Sequence, residues 1–273
     1  MARSGISVKL FWLIQFIIFW FSASSQDLKK LSEFSPGKIE TVSVDRMGNF
    51  FVIFRNGSIK KYDPDNKVLA AFKKGEAPTL LQPWYHPKIF IYQKVGQKFT
   101  EYDRNFQNPE VHTVDPSVAI KPLLVCPTND NKLLVLDEED YSIKKLNPAT
   151  NQVVTEFYVD STEFKEKPRF TFLCDYQNLI FLLDRNSGIL IFSNVGKKVN
   201  QIKCTTANFG FFGEELYFLD GDKITFYDLY TEKSRDLKSG AGKFVVVTDE
   251  RIFLVTEKDR VVVFENPLAN QTD

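Results

Sequence analysis

The sequence predicts an all-β fold, and three observations favour that class. First, the chain after residue 25 has almost no helical periodicity. Second, short runs rich in Val, Ile, Phe, Tyr and Leu alternate with turn residues, which is typical of β-strands. Third, one unit recurs along the chain: an apolar strand, a short polar turn, a second strand and a closing Asp or Asn.

Six copies of this unit follow one another. They occupy residues 49–63, 88–103, 132–147, 179–194, 215–228 and 251–266. The closing residues, which lie 34 to 47 residues apart, are Asp63, Asp103, Asn147, Asn194, Asp228 and Asn266. A period of about forty residues matches one blade of a β-propeller, so the sequence predicts a six-bladed propeller over residues 26–273. Each closing side chain should accept hydrogen bonds from the backbone of the next turn.

Further strands flank each of these hairpins. A more polar strand follows the first five hairpins, as expected of the water-facing outer strand of a blade. Mostly apolar inner strands precede the six hairpins, at Ile39–Val44, Leu80–Gln82, Leu123–Cys126, Phe170–Cys174, Phe209–Phe212 and Lys243–Thr248. The sixth unit lacks an outer strand, and we expect residues 27–34 to supply it and close the ring. An open pair of sandwiches and a seven-bladed ring with one degenerate blade are the alternative architectures.

Residues 1–25 have the pattern of a secretory signal peptide. Arg3 and Lys9 precede a twelve-residue run, 10–21, in which only Gln15 is polar, and four small residues follow. We therefore expect cleavage before Gln26, a secreted or periplasmic protein, and no transmembrane segment in the mature chain. The alternative is an uncleaved membrane anchor, although a spanning helix needs about 20 apolar residues.

The composition excludes several classes of function. Lys and Arg total 35, as do Asp and Glu, and no basic block exists, so the chain has no electrostatic footprint for nucleic acid. Two histidines cannot form a histidine-cluster site, and three cysteines cannot form a four-thiolate zinc site. We expect Cys126, Cys174 and Cys204 to be buried free thiols, with a Cys126–Cys174 disulfide as the alternative.

The strand–turn–strand–Asx pattern resembles six-bladed propellers of the TolB-like and NHL-repeat class over essentially the whole mature chain. It is most similar to secreted bacterial members of that class. The resemblance implies the fold far more than the function, because propellers support many activities.

Signatures of propeller enzymes and of other catalytic motifs are missing from the sequence. It has no sialidase S-x-D-x-G-x-T-W boxes, no repeated tryptophan docking motif, no G-x-S-x-G elbow and no P-loop. We therefore expect a monomeric, non-enzymatic module without a cofactor that binds a protein or cell-envelope component. The alternative is a calcium-dependent hydrolase or lactonase that uses the central channel.

The turns between the second and third strands of the blades contain Asp and Glu residues, which is the basis of the calcium alternative. Such carboxylates could ring one mouth of the propeller and supply the oxygens that calcium prefers. Asp is also common in hairpin turns for backbone reasons alone. The residues concerned are Asp137, Glu138, Glu139, Asp140, Asp184, Asp220, Asp222, Glu257 and Asp259.

The most aromatic loop, residues 82–87, joins the first two strands of the second blade at the opposite mouth. Its residues Trp84, Tyr85 and His86 are the candidate binding residues, because Trp and Tyr often anchor partners. The alternative is a loop that packs over the core of its own blade. Zinc is not expected, because His86 has no second histidine nearby and His112 belongs to an outer strand.

Overall fold

The fold is a six-bladed β-propeller in the computed structural model, which describes residues 28–73, 78–84 and 87–269. These residues form six four-stranded antiparallel sheets, one per blade. The fold class expected from the repeat is therefore confirmed. Among the helical segments of this part of the chain, none is long and apolar enough to cross a membrane.

The first three blades each take four consecutive strands, ordered from the centre outwards. Blade 1 consists of β2 (Ile39–Val44), β3 (Phe50–Phe54), β4 (Ile59–Tyr62) and β5 (Val68–Phe72). Blade 2 consists of β6 (Leu80–Gln82), β7 (Ile89–Gln93), β8 (Lys98–Tyr102) and β9 (Glu110–Thr113). Blade 3 consists of β10 (Pro122–Pro127), β11 (Leu133–Asp137), β12 (Ser142–Asn147) and β13 (Gln152–Tyr158).

Blades 4 and 5 repeat this order, and blade 6 departs from it. Blade 4 consists of β14 (Phe170–Tyr176), β15 (Leu179–Asp184), β16 (Gly188–Ser193) and β17 (Lys198–Ile202). Blade 5 consists of β18 (Phe209–Phe212), β19 (Glu215–Asp220), β20 (Lys223–Asp228) and β21 (Ser234–Lys238). Blade 6 consists of β22 (Phe244–Val247), β23 (Arg251–Val255) and β24 (Val261–Glu265), with β1 (Lys30–Phe34) antiparallel to β24.

The second strands of the blades are largely buried. Every residue of β3, β7 and β11 is buried, whereas β5 and β9 are mostly exposed. A second strand packs against neighbouring blades on both faces, so it is a continuous apolar run rather than an alternating one. The outer strands are more exposed, as expected of the water-facing strand of a blade.

The hydrophobic core lies between neighbouring blades. Phe50 of blade 1 stacks on Phe253 of blade 6, with ring centroids 4.6 Å apart and an interplanar angle of 1°. Tyr92 of blade 2 donates a hydrogen bond of 2.5 Å from Oη to the Pro122 carbonyl of blade 3. Apolar clusters lie between every pair of neighbouring blades, and together they hold the innermost strands around a central channel.

The closing Asx residues act as the repeat predicts in five of the six blades. Asp63, for example, accepts hydrogen bonds at Oδ1 from the backbone N–H groups of Asp65 (3.0 Å) and Lys67 (2.8 Å). The corresponding side chains that accept backbone hydrogen bonds are Asp103, Asn147, Asp228 and Asn266. For Asn194 the expectation is wrong, because Ser193 Oγ, one residue earlier, accepts the Lys197 N–H at 3.1 Å.

Acidification should weaken this fold partly through these turns. Accepted backbone hydrogen bonds hold the pKa of Asp103 and Asp228 below the ordinary 3.8. A carboxyl with a lower pKa in the folded state stabilises it above the unfolded pKa, and this stabilisation is lost as pH falls through the folded pKa. The Tm of an Asp103→Asn/Asp228→Asn variant should therefore fall less steeply than that of the unmodified chain between about pH 5 and pH 2.

The matched control is Asp249→Asn. Asp249 is exposed, and its carboxylate accepts no hydrogen bond from any described residue. Its substitution should leave the slope of Tm against pH unchanged. Equal slopes for the double variant and the unmodified chain would contradict the assignment.

The three cysteines are free thiols, as expected. Cys126 and Cys174 are buried and Cys204 is half-buried, and burial raises the pKa of all three thiols. Such thiols are poor nucleophiles, because the thiolate is the reactive form. Their role here is to pack as small apolar groups.

Candidate binding site in the central channel

The innermost strands enclose a channel with a cavity of about 570 Å³, which side chains of all six blades line. This volume lies in the range of about 300–1,000 Å³ that is usual for small-molecule sites. We name its two ends by the innermost strands: these strands begin at the N-terminal mouth and end at the C-terminal mouth. Each mouth carries a distinct group of side chains.

Three aromatic rings meet at the C-terminal mouth. Trp84 of blade 2 contacts Tyr176 of blade 4 edge to face, with ring centroids 6.3 Å apart. Tyr176 stacks on Phe211 of blade 5 at 3.9 Å and 7°, and its Oη donates a 2.6 Å hydrogen bond to the Gly213 carbonyl. We call Trp84, Tyr176 and Phe211 the aromatic cluster. Offset stacking and edge contacts of this kind fix the rings relative to one another.

Arg46 of blade 1 completes this group. Its guanidinium carbon lies 5.5 Å from the centroid of the Trp84 ring, in a cation–π arrangement. Its Nη2 donates a 3.4 Å hydrogen bond to Asn129 Oδ1 of blade 3. Side chains of five blades therefore meet at this mouth.

The C-terminal mouth also exposes apolar surface. All three rings of the aromatic cluster are half-buried, and Met47 and Tyr230, in neighbouring turns, are 60% and 66% exposed. Tyr230 and Gln177, the residue after Tyr176, share a hydrogen bond of 3.2 Å between Oη and Oε1. Burial raises the pKa of the Tyr176 phenol, which is therefore a neutral hydrogen-bonding group at neutral pH.

Of the candidate binding residues, Trp84 lies at this mouth, and Tyr85 and His86 lie outside the described residues. The ring contacts of Trp84 are made with other blades rather than with the core of its own blade. Tyr176, Phe211 and Arg46 were not among the residues predicted from the sequence. Their shared position in the repeat could have identified them, because each lies near the C-terminal end of an innermost strand.

Several of the acidic turn residues at the N-terminal mouth have partners within the chain. Asp137 and Asp184 are buried and accept backbone hydrogen bonds from the loops that precede β10 and β14. Glu138 pairs with Lys94 at 2.6 Å, Glu139 pairs with Lys121, and Asp259 pairs with Lys243 at 3.3 Å. These carboxylates therefore organise turns or neutralise lysines.

Within the described ranges, the one cluster of His and acidic side chains close enough for a shared metal lies elsewhere. It consists of Glu101, Glu110 and His112 on the outer strands of blade 2. Lys88 Nζ lies 2.9 Å from Glu101 and 2.6 Å from Glu110, so one ammonium group already pairs with both carboxylates.

Two arginines, Arg169 and Arg185, line the cavity at the N-terminal mouth. Their backbones are adjacent, since the Arg185 N–H donates to the Arg169 carbonyl at 3.1 Å. Neither guanidinium has a hydrogen bond or ion pair with any side chain in the described part of the chain. Burial, with a further contribution from Arg169, lowers the pKa of Arg185.

Comparisons with known proteins bear on the fold. No protein-family model matches the sequence, and no curated protein matches it either. Solved structures do match, among them virginiamycin B lyase from Staphylococcus aureus, with TM-score 0.53, 13% identity, and coverage of 85% of this chain and 82% of the lyase.

Two further structures match over most of their length. The Pan2 WD40 domain of Neurospora crassa has TM-score 0.57 and 11% identity, covering 89% of this chain and 96% of that one. BamB from Moraxella catarrhalis has TM-score 0.50 and 9% identity, covering 88% and 100%. At these identities the similarity shows a shared fold.

Proposed function

We propose that this chain is a monomeric, non-enzymatic binding module that holds a protein or cell-envelope component at its C-terminal mouth. The observation that carries the proposal is the aromatic cluster with Arg46 beside it. Trp, Tyr and Arg are the residue types that contribute most to binding energy at protein interfaces, and they do so when grouped in a partly buried patch. Met47 and Tyr230 extend the apolar surface around the cluster.

The rigidity of the cluster supports the same function. Each ring is fixed by a neighbour from another blade, so binding a partner orders few side chains. Preorganised side chains lose less conformational entropy on association, which leaves more of the contact energy as affinity. The binding role requires no cofactor, and hydrolysis of a lactone by the purified chain in the presence of calcium would contradict the non-enzymatic assignment.

We also propose that the protein is exported and that it belongs to a particular class of propellers. Residues 1–25 act as a cleaved signal peptide, and residues 26–273 form a secreted or periplasmic propeller of the TolB-like and NHL-repeat class. Residues 27–34 close its ring on β24. The pattern of residues 1–25 supports export, and an intact mass that retains them in exported material would contradict it.

Replacing Trp84 by alanine should weaken binding of the envelope component by about thirtyfold, the loss typical of an interface hot spot. The side chain carries the largest apolar area of the cluster and the cation–π contact with Arg46. Tyr176→Ala should have a similar effect. The measurement is the dissociation constant of the purified mature chain for the component that it captures from envelope extract.

The matched control is Tyr158→Ala. Tyr158 is 61% exposed, but it lies on the outer strand of blade 3, away from both mouths. Its removal should leave the dissociation constant unchanged, while Tm reports that all three variants are folded. If Tyr158→Ala and Trp84→Ala lost the same affinity, or if Trp84→Ala bound as tightly as the unmodified chain, the partner would bind at another surface.

A further inference from the structure

We propose that Arg169 and Arg185 bind the oxyanion of a small molecule whose apolar body lies in the central channel. This site is at the N-terminal mouth, so it is separate from the aromatic cluster and from the function proposed for it. The chemical class is a carboxylate or phosphate ester attached to an apolar or aromatic group.

The first observation is that the two guanidiniums have no partner among the described side chains. Three lysines at this mouth do have acidic partners. Lys121 pairs with Glu139, Lys94 with Glu138, and Lys243 with Asp259. Two adjacent cations that line a cavity without a counter-ion repel each other, and an anion between them removes that repulsion.

The second observation comes from comparing equivalent positions in the blades. In blade 3 the two positions hold Lys121 and Glu138, whose backbones share the same hydrogen bond, at 2.9 Å. Their opposite charges cancel, whereas blade 4 has two positive charges at these positions. In blade 1 the positions hold Lys38 and Arg55, but neither lines the cavity, and Arg55 lies 3.8 Å from the Glu40 carboxylate. Of these three blades, only blade 4 has paired arginines that face the channel.

The third observation is the wall of the cavity next to the arginines. Phe170 follows Arg169 directly, and Phe172, Phe209 and Phe244 line the same space. Ligand sites typically combine such an apolar wall with a few charged groups that fix the orientation of the ligand. Arginine in particular binds planar or tetrahedral oxyanions through two parallel N–H groups.

The test uses two fluorescent probes that differ in charge. 8-Anilinonaphthalene-1-sulfonate has an aromatic body with a sulfonate, and N-phenyl-1-naphthylamine has a similar body without it. In Arg169→Gln/Arg185→Gln the affinity for the sulfonate probe should fall about tenfold or more, since charge-assisted hydrogen bonds are lost. Affinity for the neutral probe should be unchanged, because the apolar wall is intact.

The matched control removes the same charge elsewhere. Arg235→Gln/Lys238→Gln alters two residues of β21, the outer strand of blade 5, and should leave both affinities unchanged. An unchanged affinity of the arginine variant for the sulfonate probe would overturn the proposal. The proposal would also be overturned if the arginine variant lost equal affinity for both probes, or if the control variant lost as much affinity for the sulfonate probe as the arginine variant.

A second measurement needs only the unmodified chain. Competitors that share one ring system should displace the sulfonate probe according to charge, with 1-naphthoate and 1-naphthyl phosphate at least about tenfold more effective than 1-naphthalenemethanol. The stronger of the two anions identifies the natural ligand as a carboxylate or a phosphate ester. Equal displacement by the neutral alcohol would overturn the proposal.

Discussion

Deleting residues 26–35 should destabilise the propeller by more than about 4 kcal/mol and cause it to aggregate. The deletion removes β1, which pairs with β24 along the outer edge of blade 6. Without it, the backbone groups of Val261–Glu265 have no partner on that side, and an unpaired edge of this kind recruits strands of other molecules. Thermal unfolding and size-exclusion chromatography measure the two effects, and we expect Tm to fall by about 10 °C or more.

The expected loss is large because β1 contacts two blades. Phe34 lies against Tyr62 of blade 1, with ring centroids 5.3 Å apart, and Asn66 Nδ2 donates a 2.7 Å hydrogen bond to Ser32 Oγ. On blade 6, Glu33 pairs with Arg260 at 2.6 Å. β1 is therefore held by contacts with both blade 6 and blade 1.

The control is deletion of residues 270–273. This change keeps Leu268, which is buried in the cluster between blades 5 and 6. Every described strand also stays intact, because β24 ends at Glu265, so Tm should stay within about 2 °C of the unmodified value. A shortened chain without residues 26–35 that remained monomeric and equally stable would show that β1 does not hold the ring together.

The blades could be predicted from the sequence because their information is local. A hairpin such as that of β3 and β4 needs only its two strands and one turn, and its burial pattern is set by the blade architecture. Even the short inner strand Leu80–Gln82 was predicted with its observed bounds. The error at Asn194 is a shift of one residue, since Ser193 performs the same turn function.

The candidate sites could not be predicted because they depend on the closed ring. Trp84 and Tyr176 are almost a hundred residues apart and meet only when blades 2 and 4 face each other across the channel. Arg169 and Arg185 are closer in sequence, but their exposure to the channel, and the lack of acidic partners for them among the described residues, depend on the neighbouring loops. The roles of the turn carboxylates could not be predicted for the same reason. Asp184, for example, has a structural role because of its hydrogen-bonding partners and not because of its residue type.

Replacing Asp184 by alanine should lower the free energy of unfolding by about 3–4 kcal/mol, because it removes a buried acceptor and leaves three part-buried donors without their partner. The carboxylate is completely buried and accepts hydrogen bonds from the Arg169 N–H at 2.7 Å and from Ser187 Oγ at 2.5 Å. A third bond, from the Asn186 N–H, is 3.2 Å long. Urea denaturation of the purified chain measures the change.

Two further variants distinguish hydrogen bonding from a loss of charge alone. Asp184→Asn keeps one acceptor oxygen for the Arg169 N–H, so we expect about half the destabilisation of the alanine variant. Asp222→Ala removes an exposed carboxylate that accepts no hydrogen bond from the described residues, and it should change stability by less than about 0.5 kcal/mol. If Asp184→Ala were as mild as Asp222→Ala, the loop before β14 would not depend on this carboxylate. Because that loop positions Arg169, the alanine variant should also weaken binding of the sulfonate probe, which links the stability of this turn to the anion site.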